Sequence, residues 1–156
     1  KKIKDPFFES YNFILPGYNV RPNEFNGAIG IQQLKKLPNF LLNRRKNAKH
    51  FVNTFINNNK FIIQKEIGRS SWFWFTFIIR PEIKETRRDI LLKLNSIGFE
   101  TRPIVAGNFV KNPSVKYMEY EIHSTLKNSD YLHDFGFAIG NHHYPIEESF
   151  EKLKEI

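Results

Sequence analysis

The sequence predicts an α+β domain: an antiparallel or mixed sheet of about three strands, covered by helices on one side. Three observations carry this expectation. Helically spaced segments alternate with short strand-like runs. One run, Ser71-Trp-Phe-Trp-Phe-Thr-Phe-Ile-Ile79, is apolar at nearly every position. Proline and glycine mark the boundaries between segments, as they do where the chain must turn.

Residues 1–23 read as an irregular, aromatic-rich approach ending in Pro16-Gly17 and Arg21-Pro22. A proline biases the preceding residue away from helix, so a helix is expected to begin at Asn23, whose side chain can cap it. Phe25, Ala28, Ile31 and Leu34 or Leu37 then follow at helical spacing, and Pro38 is expected to break or kink the helix. A second helix follows, with Leu41, Ala48, Phe51, Val52 and Phe55 on one face, and Asn57-Asn58-Asn59 ends it. Phe61–Ile67 reads as a short strand. The run 71–79 reads as a strand buried on both faces, framed by Ser70-Ser71 and Arg80-Pro81. Thr86-x-x-Asp89 resembles a capping box, Ile90, Leu91, Leu94 and Ile97 form a core face, and Gly98 is a stop. Phe99–Arg102 is a strand that Pro103 terminates. Ser124–Phe135 is a helix closed by Gly136, and Phe137–Ile139 is a short strand. Pro145 at a first helical position opens a last helix, with Ile146, Phe150 and Leu153 on its buried side. No internal repeat or linker interrupts the series.

At 156 residues the chain can bury a substantial core, and with 40% hydrophobic and 15% aromatic residues it is not disordered in composition. No apolar run is long enough to span a bilayer and no signal-peptide pattern opens the sequence, so no membrane partner is expected. Zero cysteines exclude a disulfide scaffold, thiolate catalysis and cysteine-ligated zinc, and a reducing, cytoplasmic setting fits. The formal charge of +8 favours anionic partners. The basic residues are scattered, however, and the clusters Arg44-Arg45-Lys46 and Arg87-Arg88 fall on expected helices, where charge marks a solvated face. Nucleic acid is therefore not the expected partner.

Three segments bear chemistry. Gly17-Tyr18-Asn19-Val20-Arg21 leads into a helix start, where an amide, a guanidinium and free backbone N–H groups can meet an anion. The residues alone favour a turn-and-cap role there. Glu100-Thr101-Arg102-Pro103-Ile104-Val105-Ala106-Gly107-Asn108 fixes an arginine at a strand end beside a Gly-Asn turn, and an ordinary surface exit remains the alternative. Gly140-Asn141-His142-His143-Tyr144-Pro145 pairs two histidines. Neighbours on an extended segment point apart, and no third ligand stands at a matching spacing, so hydrogen bonding fits better than a metal. No phosphate loop, nucleophile elbow or spaced triad occurs.

Taken together and in order, Pro16-Gly-Tyr-Asn-Val-Arg21, Gly27-Ala28-Ile29-Gly30, Gln33-Leu34-x-Lys36-Leu37 and Arg44-Arg45-x-Asn47-Ala48 resemble the C-terminal part of the DegT/StrS family of vitamin B6-dependent nucleotide-sugar enzymes. Thr101–Asn108 and Gly140-Asn-His-His-x-Pro145 resemble its 3-dehydratase branch, which includes the GDP-4-keto-6-deoxymannose 3-dehydratases. A perosamine synthetase-like 4-aminotransferase is the alternative.

The resemblance implies the small C-terminal domain of a fold-type I pyridoxal phosphate-dependent enzyme. Residues 1–23 would be the tail of the large domain and an interface loop, and residues 24–156 the small domain. It implies a homodimer, a nucleotide-diphospho-sugar substrate, and a pyridoxal or pyridoxamine 5′-phosphate cofactor in the full-length enzyme. The position meeting the cofactor aldehyde, lysine in the aminotransferases and histidine in the 3-dehydratases, would lie upstream of Lys1. The chain would then be inactive and cofactor-free alone, with no catalytic residue of its own. Carried over by position, Asn19 and Arg21 would contact the cofactor phosphate across the subunit boundary. Arg102 and Asn108 would lie near the nucleotide-sugar, and His142 or His143 near its phosphates or sugar.

Overall fold

The computed structural model of the chain describes residues 7, 10–18 and 21–156. The elements placed in full among these residues are the α-helices α1 (Glu24–Phe55), α2 (Arg87–Ser96), α3 (Lys127–Phe135) and α4 (Glu147–Leu153), and the strands β1 (Phe61–Ile63), β2 (Trp74–Ile79), β3 (Thr101–Arg102) and β4 (Gly136–Gly140). All strand pairings are antiparallel, in the order β1-β2-β4-β3. The sheet thus has four strands rather than about three, because the brief Thr101–Arg102 pairing to Ile139 and Ala138 adds an edge beyond β4.

Packing follows from strand alternation. Phe75, Phe77 and Ile79 of β2 point to one face, alongside Phe61, Phe137 and Ile139. Against that face lie Phe51 and Phe55 of α1, Ile90, Leu91 and Leu94 of α2, and Phe150 and Leu153 of α4. Phe51 is the centre: its ring stacks on Phe75 at 4.4 Å and meets Phe77 edge-on at 5.3 Å. Aromatic pairs at such separations add to the burial of the rings themselves.

Three expectations change. The predicted pair of helices is one helix of 32 residues, about 48 Å long at 1.5 Å per residue, with Pro38 inside it. Proline removes the hydrogen bond to the carbonyl four residues back. That carbonyl belongs to Leu34, which is 65% exposed, so water can serve it. The first half of α1 carries its apolar residues in the open, with Phe25 79% and Ile31 60% exposed. Only from Asn47 onward does the helix bury residues.

The run 71–79 is not buried on both faces: Trp74, Thr76 and Ile78 are half-buried and alternate with the buried Phe75, Phe77 and Ile79. Double burial belongs instead to β4. There Phe137 and Ile139 enter the core, while a Cβ on Gly136 would meet the Leu132 carbonyl and the Ile104 side chain on the other side. The shorter elements are also trimmed. The first strand stops at Ile63, α3 starts at Lys127, and α4 starts at Glu147 beyond Pro145. Gly98 does end α2, in the left-handed region at φ +91°. Thr86 caps the same helix and exchanges hydrogen bonds with Asp89.

The core and the open half of α1 should respond differently to truncation. Phe51→Ala is expected to lower the urea unfolding free energy by about 3–5 kcal/mol. Leu34→Ala is expected to change it by no more than about 0.5 kcal/mol.

Candidate functional site

The site grows from two asparagines. Asn47 lies one helical turn before Phe51, on the buried side of α1, and Asn141 is the first residue after β4. Each is at most 5% exposed. The Asn141 amide donates to the carbonyls of Trp72 (2.8 Å) and Arg44 (3.1 Å), and its Oδ1 accepts from Asn47 Nδ2 (3.1 Å). Asn47 Nδ2 also donates to the carbonyls of His142 (3.1 Å) and Tyr144 (2.8 Å), and its Oδ1 accepts from the Ile146 amide at 3.4 Å. Both side-chain amides are therefore fully used, the condition under which buried polar groups stabilise rather than destabilise. One amide pair ties α1, the entry to β2 and the loop 141–146 together.

Around this pair opens a hollow of about 790 Å³. Arg44, Phe73, Arg102, His142, Tyr144 and Lys152 are among its walls. Phe73 is 65% exposed, and the Arg44 guanidinium stands over its ring at 5.7 Å. The His142 ring stacks on Tyr144 at 4.7 Å. A second hollow of about 810 Å³ lies beside α2, shares Arg102 with the first, and has several of its polar groups engaged. Arg87 donates to the carbonyls of His133 and Gly136, and Lys60 and Lys93 both pair with Glu85, holding that carboxyl below its ordinary range.

The structure separates the sequence-predicted residues. Arg102 and His142 line the hollow around the asparagine pair; Arg102 also pairs with Glu100 at its rim. His143 turns away and packs on Phe40 at 4.4 Å, its carbonyl accepting from Asn43 at 2.8 Å. Asn108 is buried in structural work. Its Oδ1 caps the turn at Val110 (3.1 Å) and its Nδ2 donates to Asp130 (2.9 Å). Arg21 is exposed just before the α1 cap and has no hydrogen-bond or ion-pair partner among the described residues. Its guanidinium, next to the free N–H groups of a helix start, is a donor set suited to a phosphate. Asn19 lies outside the described residues. Among the described residues no group of three His, Asp or Glu side chains could hold a metal, and no helix is long and apolar enough to cross a membrane.

Sequence reading missed Arg44, Phe73 and the Asn47–Asn141 pair. One signal was present: Asn47 shares the helical stripe of Ala48, Phe51 and Phe55, where a polar residue must find a partner. Arg44 carried no such mark, since one of three consecutive basic residues on a helix reads as solvated.

The four-stranded antiparallel sheet with helices on its core face and an exposed leading helix is the small α+β domain of the pyridoxal phosphate-dependent aminotransferase-like fold. The chain belongs to the DegT/DnrJ/EryC1/StrS aminotransferase family, which it matches over residues 2–152. It is 47% identical over 156 residues to the GDP-4-keto-6-deoxy-D-mannose 3-dehydratase of Escherichia coli O55:H7 (strain CB9615 / EPEC), covering 99% of this chain and 40% of that protein. It is 46% identical to the enzyme of the same name from Yersinia pseudotuberculosis, covering 100% of this chain and 40% of that protein. A solved structure of the E. coli dehydratase with bound hydrated PLP superposes with a TM-score of 0.83 at 47% identity, covering 99% of this chain and 40% of that one. The chain thus spans about 40% of the length of these relatives.

One titration is built into the loop that follows Arg102. Asn108 donates its backbone N–H to His133 Nδ1 at 3.3 Å. Burial, then the Lys111 and Arg87 cations, hold the His133 pKa below the ordinary imidazole range, against an upward pull from Asp134. The unfolded chain takes up this proton near pH of about 6.5, while the folded one resists it until lower pH. Stability contributed by neutral His133 is therefore complete above that pH and is lost as pH falls from there through the folded pKa. Urea midpoints measured from pH 7.5 down to 5 should fall more steeply for the parent than for His133→Gln. Equal slopes would contradict this reading.

Proposed function

We propose that this chain is the C-terminal part of a nucleotide-sugar 3-dehydratase, one that removes the C3 hydroxyl from a GDP-linked 4-keto-6-deoxyhexose in deoxysugar biosynthesis. The supporting observation is the 46–47% identity to two such dehydratases along the whole length of this chain. When bound, a pyridoxal or pyridoxamine 5′-phosphate would supply the electron sink that lets a hydroxyl leave from the carbon beside the ketone.

The residues of this chain would bind and orient. Arg21 and Asn19 would hold the cofactor phosphate in the site of a second copy, with charge and amide donors that need not be deprotonated. Arg102 and His142 would face the nucleotide-sugar from the hollow. The Asn47–Asn141 pair would keep the His142 loop in place. The catalytic group at the cofactor aldehyde would come from the remainder of the enzyme, so the chain alone would neither hold the cofactor tightly nor turn over substrate. Residues 1–23 would join it to that remainder, and the enzyme would work as a homodimer.

A graft tests this directly. Residues 24–156 are placed in the E. coli dehydratase instead of its own matching segment, and the product formed from GDP-4-keto-6-deoxymannose is identified. The account predicts the 3-deoxy sugar. An amino sugar, or a folded graft without product, would overturn it. In the same graft carrying residues 1–156, replacing both Asn19 and Arg21 with alanine should weaken cofactor affinity at least tenfold.

A further inference from the structure

We infer that Asn112 is a positioning residue: it latches the segment 11–14 onto a distant loop and so sets Tyr11 in the wall of the hollow around the asparagine pair. The use of that wall rests on the dehydratase reading. The latch itself rests on geometry.

Phe13 is held at both of its backbone groups. Its N–H donates to Asn112 Oδ1 at 2.9 Å, across 99 residues of sequence, and its carbonyl accepts from the Ser114 N–H at 2.9 Å. Among the described residues, residues 12–18 make no other hydrogen bond. The Phe13 ring adds one tilted contact, with Phe109 at 6.4 Å, and both rings stay partly exposed. Ile14, Leu15 and Tyr18 beyond it are exposed as well. Directional bonds at a single residue therefore fix this stretch, and one of the two comes from a side chain.

The latch stands on a fixed base. Asn112 is buried where two short 3₁₀ turns meet, Phe109–Lys111 and Pro113–Tyr117, and its own N–H donates to the Phe109 carbonyl at 2.9 Å. Pro113 keeps Asn112 extended, at φ −78° and ψ 138°, and its missing N–H costs nothing at the start of the second turn. One residue back, Lys111 pairs with Asp130 at 2.9 Å and Asp134 at 3.6 Å, and Asn108 donates to the same Asp130. These ties reach α3, whose Tyr131 hydroxyl donates to the Ile79 carbonyl of β2 at 2.6 Å. A segment latched to this base is held relative to the sheet.

Tyr11 lies two residues before the latch and borders two hollows. One is the 790 Å³ hollow that Arg102 and His142 share, and the other, of about 190 Å³, lies against Pro103, Val105 and Asn112. Two residues of extended chain reach about 7 Å, so the hold on Phe13 limits where the Tyr11 ring can stand. Loss of the latch would free that ring and loosen one wall of the larger hollow.

The test nitrates the 156-residue chain and its variants with tetranitromethane and reads the rate at each tyrosine by peptide mass spectrometry. Tyr18, fully exposed, is the internal standard, and circular dichroism confirms that each variant is folded. Relative to Tyr18, Tyr11 should react about fivefold faster or more in Asn112→Ala, because the segment opens locally. Asn112→Asp keeps an oxygen for the Phe13 N–H, and the Nδ2 it removes has no partner among the described residues, so it should stay within about twofold of the parent. Ser114→Ala trims a buried side chain beside the latch but leaves the donating backbone N–H, and it too should stay within about twofold. In the graft of residues 1–156 into the E. coli dehydratase, Asn112→Ala should raise KM for GDP-4-keto-6-deoxymannose about fivefold with kcat little changed, and Asn112→Asp should recover it. A Tyr11 rate unchanged in Asn112→Ala, or raised as much by Ser114→Ala, would overturn the latch. An unchanged KM, or a loss confined to kcat, would overturn the positioning role. A parent graft that forms no 3-deoxy sugar overturns the dehydratase reading instead, and the nitration rates then decide the latch by themselves.

Discussion

The arrangement of the site depends on one buried contact, the side-chain hydrogen bond between Asn47 and Asn141. Each amide would be a liability alone, since a buried donor or acceptor without a partner costs about 1–3 kcal/mol. Together they close a network that reaches three backbone segments, at Arg44, Trp72 and the loop 142–146. Aromatic packing around Phe51 orients the rings but names no particular backbone group. The amide pair has direction, and it fixes which carbonyl of the helix sits against which residue of the strand exit.

That constraint explains why the candidate site lies at one end of the sheet. The core holds the middle of the strands, where Phe75, Phe77, Phe137 and Ile139 face α1, α2 and α4. Beyond its last core residue β4 ends at Gly140, and β2 is entered through the strained Trp72-Phe73 step. Loops here would be free to move if only apolar contact held them. The asparagine pair ties them to α1, so the arginine, the exposed ring and the histidine share one rim. The leading half of α1 has no such ties. Its exposed apolar residues, from Phe25 to Leu37, are in keeping with a chain that spans about 40% of the length of its relatives.

The sequence made the helices and strands legible where local signals and core burial agreed. Thr86 and Gly98 delimit α2 as capping rules require, and Phe51, Phe55 and Phe150 fall on the buried stripes that their spacing indicates. It misled where a local signal met a tertiary circumstance. Pro38 stays within a helix because the carbonyl it strips of a partner is open to water. The run 71–79 is as apolar as a doubly buried strand, yet it alternates, because no helix covers all of its second face. At the site, the resemblance drew attention to His142, His143 and Arg102 by motif. Motif could not show that His143 turns onto Phe40, that Asn108 caps a turn, or that Arg44 enters the hollow, since these depend on loops brought together across about a hundred residues.

The most direct test of this account is a double-mutant cycle on Asn47 and Asn141, each replaced by alanine singly and together, with unfolding free energies from urea titration. Coupling is predicted: each single change should cost about 2 kcal/mol or more, and the double change should cost clearly less than their sum, since the first loss already orphans the partner. Additive costs, or single changes within about 0.5 kcal/mol of the parent, would show that the amide pair does not hold the site together.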